Sequence, residues 1–248
     1  MARYNSSDIA FLLVSGYSIL GATTEITVES PLKMEDVTPL GVSAEVYAST
    51  GITSLKMSQK GLFDDAAGSS HAALVGKNGT TRIICYGVEG NTTGKNFFAV
   101  SAAIQTTYNP EIKVGALHKA SADYQGTGVK EDGKIVHALG AETAASGNTQ
   151  ASSVDNGAQT TAGGTGYFQF PALTLGGYTS VQIILQHSTD NVTYADIGGP
   201  TISGDAVAPG VMRLLISGTI YRYTACRWVF NGTGSGQSLT FMAGIVRN

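Results

Sequence analysis

Apolar residues in this chain fall into two patterns, unbroken runs and strict alternation, and each pattern predicts a different kind of strand. The run Ile9-Ala10-Phe11-Leu12-Leu13-Val14 ends at Ser15-Gly16 and predicts a short buried strand. Glu25-Ile26-Thr27-Val28-Glu29 alternates, as a strand with one wet face does. From Pro31 to Ser49 the pattern loosens into a long excursion away from a core, the best place in the chain for a functional loop. Ile52 to Ser58 resumes β character, and Asp64 to Leu74 predicts the one helix, with Asp64 and Asp65 at its start to offset the macrodipole. Arg82–Val88 and Phe97–Gln105 read as buried strands on either side of a turn at Gly90–Gly94.

The polar, glycine-rich stretch Gln125 to Gly133 has no periodicity and reads as a connector or a long hairpin tip, placing a domain boundary near residue 132. Beyond it, Ala141 to Gly166 is a low-complexity tract with little to bury. Strands then follow at Tyr167–Phe170, Val181–His187, Val211–Ile216, Tyr221–Phe230 and Leu239–Ile245, with turns at Ser188–Asn191 and Ser217–Thr219. No segment of this half has a helical period, so it reads as an antiparallel β-sandwich. There is no clean internal repeat, although Thr80–Gly87 and Thr179–His187 could be equivalent strands of two divergent copies.

Composition sharpens the fold class to all-β. Only 13% of the 248 residues are charged, and 32 are glycine, a mixture suited to short strands and tight turns. Residues 1–133 carry 13 acidic and 10 basic side chains, whereas 134–248 carry five of each, so the two halves present different surfaces. The net charge of −3 leaves no basic footprint for bulk-charge affinity toward nucleic acid or anionic lipid. Ile9–Val14 is too short to span a bilayer or to serve as a signal h-region, which predicts no membrane role and synthesis in the cytoplasm. The N-x-Ser/Thr triplets then read as chance products of an Asn- and Thr-rich chain. Cys85 and Cys226 lie in apolar runs without CxxC spacing and read as buried free thiols.

Chemistry is sparse. His71, His118, His137 and His187 show no two-ligand spacing, and neither cysteine is near one, so no zinc site is expected. The Asp64-Asp65 pair reads as helix caps rather than an acid/base dyad. The glycine clusters at 163–166 and 232–236 run into strand-like sequence instead of a helix N-terminus, and read as turns rather than phosphate loops. Asp190 and Asn191 are not followed by the spaced oxygens of a calcium loop. Tyr221, Tyr223, Trp228 and Phe230 with Arg222 and Arg227 could form a stacking platform, but alternation mixes core and polar residues on each face, which favours a packed strand. No catalytic, cofactor-binding or metal-binding residues are predicted. A chain with these features acts by assembling, because unpaired strand edges can continue a sheet into a neighbour.

The segment Leu13-Val14-Ser15-Gly16-Tyr17-Ser18-Ile19-Leu20-Gly21-Ala22-Thr23, followed by Met57-Ser58-Gln59-Lys60-Gly61-Leu62-Phe63-Asp64-Asp65, resembles the opening of the major tail (tail tube) proteins of long-tailed bacteriophages. Val136–Thr143, Gln186–Asp196, Ser217–Tyr223 and the closing Phe241–Asn248 are similar to the β-sandwich module at the C-terminal end of such proteins. The resemblance implies a tail-tube-like β-sandwich or barrel with one short helix over 1–132 and a second antiparallel β-sandwich over 133–248. It further implies a virion protein of the tail whose hexameric or pseudo-hexameric trimeric rings stack into a tube. Its partners would be other copies, the tape measure, tail terminator and distal tail proteins, with double-stranded DNA passing through without specific binding. A bore free of aligned Lys and Arg lets phosphates slide, so the acidic first half is expected to line it, with the second half outside or completing the ring. Candidates for reaching the next ring are Glu35, Asp36, Pro39, Leu40, Glu45 and Tyr47 in the excursion, and Arg3 and Tyr4 in the N-terminal arm. The alternatives left open are a capsid decoration or other virion β-sandwich protein, a carbohydrate-binding module using Trp228 or Tyr178, and, last, a hydrolase.

Overall fold

The computed structural model describes residues 11–39, 44–45, 47–53, 55–66, 68–127 and 130–248. In chain order the first half holds β1 (Phe11–Val14), β2 (Tyr17–Ser18), β3 (Thr23–Glu29), β4 (Leu32–Asp36), β5 (Tyr47–Thr53), β6 (Leu55–Leu62), α1 (Ser70–Leu74), β7 (Thr81–Gly87), β8 (Asn96–Glu111) and β9 (Lys119–Gly126). There follow β10 (Lys130–Glu142), β11 (Ser146–Asn148), β12 (Val154–Asp155), β13 (Gly164–Thr174) and β14 (Ser180–Ser188). The chain closes with β15 (Ala195–Gly198), β16 (Thr201–Ile202), β17 (Gly210–Ile216), β18 (Tyr223–Asn231) and β19 (Ser238–Arg247). The protein is all-β: an 11-stranded and a six-stranded antiparallel sheet, a separate two-stranded ribbon of β4 and β5, and one short α-helix among the described residues.

The large sheet is built on β8. On one side β8 pairs with β7, which pairs with β1. On the other side β9 and β10 lie end to end, β9 beside Ala103–Glu111 and β10 beside Asn96–Val100. From there the sheet divides into two wings, β9–β6–β3 and β10–β19–β13–β17. The first wing and β1–β7–β8 enclose a core of Leu12, Val14, Leu55, Met57, Ile84, Val100 and Tyr124, with Ala73 and Leu74 of α1. The opposite faces of β1, β7 and β8 pack against the second wing through Phe11, Leu13, Cys85, Phe97, Ile135, Tyr167 and Met242. The far face of the second wing packs on the six-stranded sheet through Phe168, Phe170, Ile183, Leu185, Trp228, Phe230 and Phe241.

This layering explains the two sequence patterns. Phe11–Val14 and Phe241–Val246 are buried on both faces, so every position is apolar or small. Strand β6 has one covered face and alternates buried with exposed or half-buried residues. Where two-sided burial brings layers close, glycine makes the room: a Cβ at Gly244 would lie 2.4 Å from the Phe97 ring. Gln169, fully buried on β13, accepts from the Gly16 N–H (2.6 Å) and donates to the Ile83 carbonyl (3.3 Å) and Cys85 Sγ (3.4 Å). The two halves are thereby joined by hydrogen bonds as well as by a shared core.

Several expectations are corrected. The helix spans Ser70–Leu74, not Asp64–Leu74, and no acid lies in its first turn. Gly68 at φ +80° separates it from Asp64, whose side chain accepts the Ala66 N–H and whose carbonyl accepts the Ser69 hydroxyl and the His71 N–H. Of the two readings of the stretch 125–133, connector or hairpin tip, it is the connector: its ends are strand residues of β9 and β10 along β8, and the Thr127 N–H bonds the Ala102 carbonyl. The tip belongs instead to the β8–β9 hairpin, at 112–118. Gly164–Gly166 are buried strand residues of β13 rather than a turn, and only Gly163 turns, at φ +74°. The excursion from Pro31 to Ser49 carries paired strands, β4 and part of β5. The run read as one strand at Ile52–Ser58 contributes to both β5 and β6.

Candidate assembly surfaces

The described residues offer little for catalysis. No group of three or more His, Cys, Asp or Glu is placed to hold a metal ion. His137 is buried, stacked on Phe241 at 3.8 Å and bonded to Glu142 at 3.1 Å, and burial holds it below the usual histidine range against the pull of that carboxylate. His187 stacks on Tyr221 and accepts its N–H, and His71 bonds the Tyr108 hydroxyl. Burial pushes the Cys85 thiol up to about 12 and raises Cys226 as well. Trp228 is buried edge-on against the stacked pair of His137 and Phe241 rather than presented to solvent, and Arg222 and Arg227 are paired with Asp155 and Asp196. The aromatic strand is thus a packed one. A 590 Å³ groove lies over the ends of β3, β6, β8 and β9, lined by Glu25, Lys60, Leu62, Pro110 and Ser121 among others, with no nucleophile-and-base pair in it. No helix among the described residues is long and apolar enough to cross a membrane.

What the surface does offer is edges and projections. Among the described residues β3 pairs only with β6, and β17 only with β13, so each wing of the large sheet ends in a seven-residue edge. On β17 Leu215 is 71% exposed, while Arg213 is held by Glu131, which also accepts the Tyr167 hydroxyl. The β8–β9 ribbon ends in the most exposed apolar cluster among the described residues: Ile112, Val114 and Leu117 at 71%, 101% and 74%. Every residue from Asn109 to Lys119 is exposed.

The predicted contact residues fall mainly on the other ribbon. Glu35 and Asp36 end β4, Tyr47 begins β5 opposite Asp36, and Pro39 and Glu45 lie exposed between the strands. The Tyr47 hydroxyl donates to Glu45 at 2.7 Å, which raises the tyrosine pKa, and Thr38 donates its N–H and hydroxyl to Asp36, which lowers that of the carboxyl. Arg3, Tyr4 and Leu40 lie outside the described residues. Sequence reading missed Ile112, Val114, Leu117 and Leu215. The signal for Ile112 and Val114 was Pro110 and Gly115 bracketing apolar residues too few for a strand of their own; Leu117 follows beyond that glycine.

The class this architecture defines is an all-β protein of two large antiparallel sheets with free edges. No family model matches the chain, and no curated protein matches it. Solved structures overlay on it in part. The tail of an empty gene transfer agent particle, with sixfold helical symmetry, gives 14% identity over 52% of this chain and 97% of that one, with a TM-score of 0.40. A chain of the native gene transfer agent virion gives 15% identity over 52% and 97%, with a TM-score of 0.39. The SPP1 Dit protein, described as a paradigm of the hub adsorption apparatus in phages infecting Gram-positive hosts, gives 10% identity over 95% and 98%, with a TM-score of 0.37.

Proposed function

We propose that this chain is a structural virion protein that joins copies of itself into rings, and that the rings stack into the tube of a long phage-type tail through which double-stranded DNA passes. The observation that carries the reading is the pair of free edges, β3 and β17, on separate wings of one sheet. Two different edges on one molecule allow a head-to-tail contact in which β17 of one copy pairs with β3 of the next, and such contacts close into rings. Glu29 and Glu25, the latter paired with Lys60, lie on β3, and Arg213, paired with Glu131, lies on β17. The tail-tube-like landmarks at Leu13–Gly21 and Met57–Asp65 support the same reading.

In this reading the boundary near residue 132 separates a first half that lines the bore from a second half that completes the ring through β17, with six chains or three to a turn. The bore is lined by uncharged polar and acidic side chains, so that it does not grip phosphates. Glu35, Asp36, Pro39, Leu40, Glu45, Tyr47, Arg3 and Tyr4 contact the next ring. Tape measure, tail terminator and distal tail proteins close the two ends. Negative-stain microscopy of the purified chain at high concentration tests this. Tubes or stacked rings are expected, and deletion of residues 34–48 should leave a folded subunit that forms none. Monomers at every concentration, or normal tubes from the deletion variant, would overturn it.

A further inference from the structure

We infer that the β8–β9 tip of one copy seats on the β4–β5 ribbon of the next copy along the tube axis. This rests on the self-assembly reading and supplies the surface that reading lacks. Strand registers set the geometry. In the wing β3–β6–β9 with β8, one end holds Glu29, Leu55, Gly126 and Ala103, and the other holds Thr23, Leu62, Lys119 and Glu111. Ribbon β4–β5 leaves from the first end, since it connects Glu29 to Leu55, and the 112–118 tip leaves from the second. The two projections therefore stand at opposite ends of the same strands, roughly 25 Å apart for eight-residue strands.

Edge contacts through β3 run sideways, in the hydrogen-bonding direction, whereas contacts at strand ends run along the strands. A ring closed by edges consequently presents the tip on one rim and the ribbon on the other, to within the strand tilt. The two surfaces are complementary. The tip offers Ile112, Val114 and Leu117 to solvent around Lys113, and the ribbon offers half-exposed Val37 and Tyr47 beside Asp36 and Glu45. Apolar side chains so fully exposed on a built hairpin are covered in the working assembly, and a cation among them selects an acidic, partly apolar surface. The second copy carries that surface at the opposite end. A contact between unlike ends repeats without closing, as stacking requires.

The test uses the full chain with two differently tagged variants, Val114→Cys and Tyr47→Cys, mixed under mild oxidation. The native cysteines are buried and do not compete. A mixed disulfide is expected between the two variants and not within either one alone. Adding Lys113→Glu to the first variant should lower its yield up to about fivefold, and adding Glu45→Lys to the second should restore it. No mixed disulfide, or one no more abundant than the self-pairs, overturns the inference. Microscopy of the wild-type chain separates the two readings. Tubes without the mixed disulfide sink this contact alone, the mixed disulfide without rings or tubes sinks the tube while the contact stands, and absence of both sinks both.

Discussion

Replacing Gly244 by alanine asks whether the layers really meet as closely as they do here, because two physical effects of the change have opposite sign. Gly244 is in β19, paired with Ile135 of β10 and Tyr167 of β13, so its backbone is held on both sides. With its φ outside the left-handed region, alanine lowers the entropy of the unfolded chain and by that effect alone stabilises by about 0.4–1 kcal/mol. In the folded state the new methyl would lie 2.4 and 2.5 Å from Cε1 and Cζ of Phe97, a fully buried ring set edge-on to Tyr167 at 6.2 Å. Overpacking of this kind costs about 1–3 kcal/mol. The expected net result is destabilisation, read as a lower urea midpoint with an unchanged slope. Phe97→Leu removes both clashing atoms, so the double variant should cost at least about 1 kcal/mol less than the two single changes added together. Because the shared core binds both halves, each variant should unfold in one transition. A stabilised Gly244→Ala, or strictly additive effects in the double variant, would refute the close packing of β19 on β8.

The other predictions concern charge, thiols and the sheet edge. His137 is held neutral by burial, so its folded pKa lies below the unfolded value of about 6.5. Its contribution to stability is therefore present above that pH and lost as pH falls from there through the folded pKa; urea midpoints at pH 7.5 and 5.5 should differ more for the wild type than for His137→Gln. Asp190, whose carboxylate accepts the N–H groups of Val192 and Thr193 and the Ser188 hydroxyl, should titrate near 2 by NMR, and a midpoint near 4 would contradict that turn. Neither cysteine should react with a thiol reagent until denaturant unfolds the chain, and fast labelling of Cys85 would mean that the layers open. Leu215→Lys on the exposed edge should leave thermal stability within about 0.5 kcal/mol of wild type while abolishing rings.

Fold class and strand positions were legible in the sequence because burial writes itself into periodicity. Phe11–Val14 and Phe241–Ile245 are unbroken because both faces are covered, and Glu25–Glu29 alternates because one is not. The helix was read six residues too long because acids and small residues look like a helix start, and only the positive φ of Gly68 decides otherwise. Gly164–Gly166 was read as a turn because a glycine needed for close approach and one needed for a left-handed bend are the same letter. Of the two projections, one was marked in the sequence. The β4–β5 ribbon falls where the pattern loosens, but that the apolar residues at 112–117 stand clear of the sheet is seen only once β8 and β9 are known to outrun their neighbours.

The alternation and runs of side chains, which are local consequences of the period of a strand, determined by themselves that this chain is β throughout and where most of its strands lie. Which strands neighbour which was decided only by tertiary structure: that β9 and β10 share β8, that two wings divide there, and that β3 and β17 end those wings with one strand partner each among the described residues. Pairing joins residues far apart along the chain through backbone hydrogen bonds that carry no side-chain signature, so a free edge and a covered one can have the same sequence.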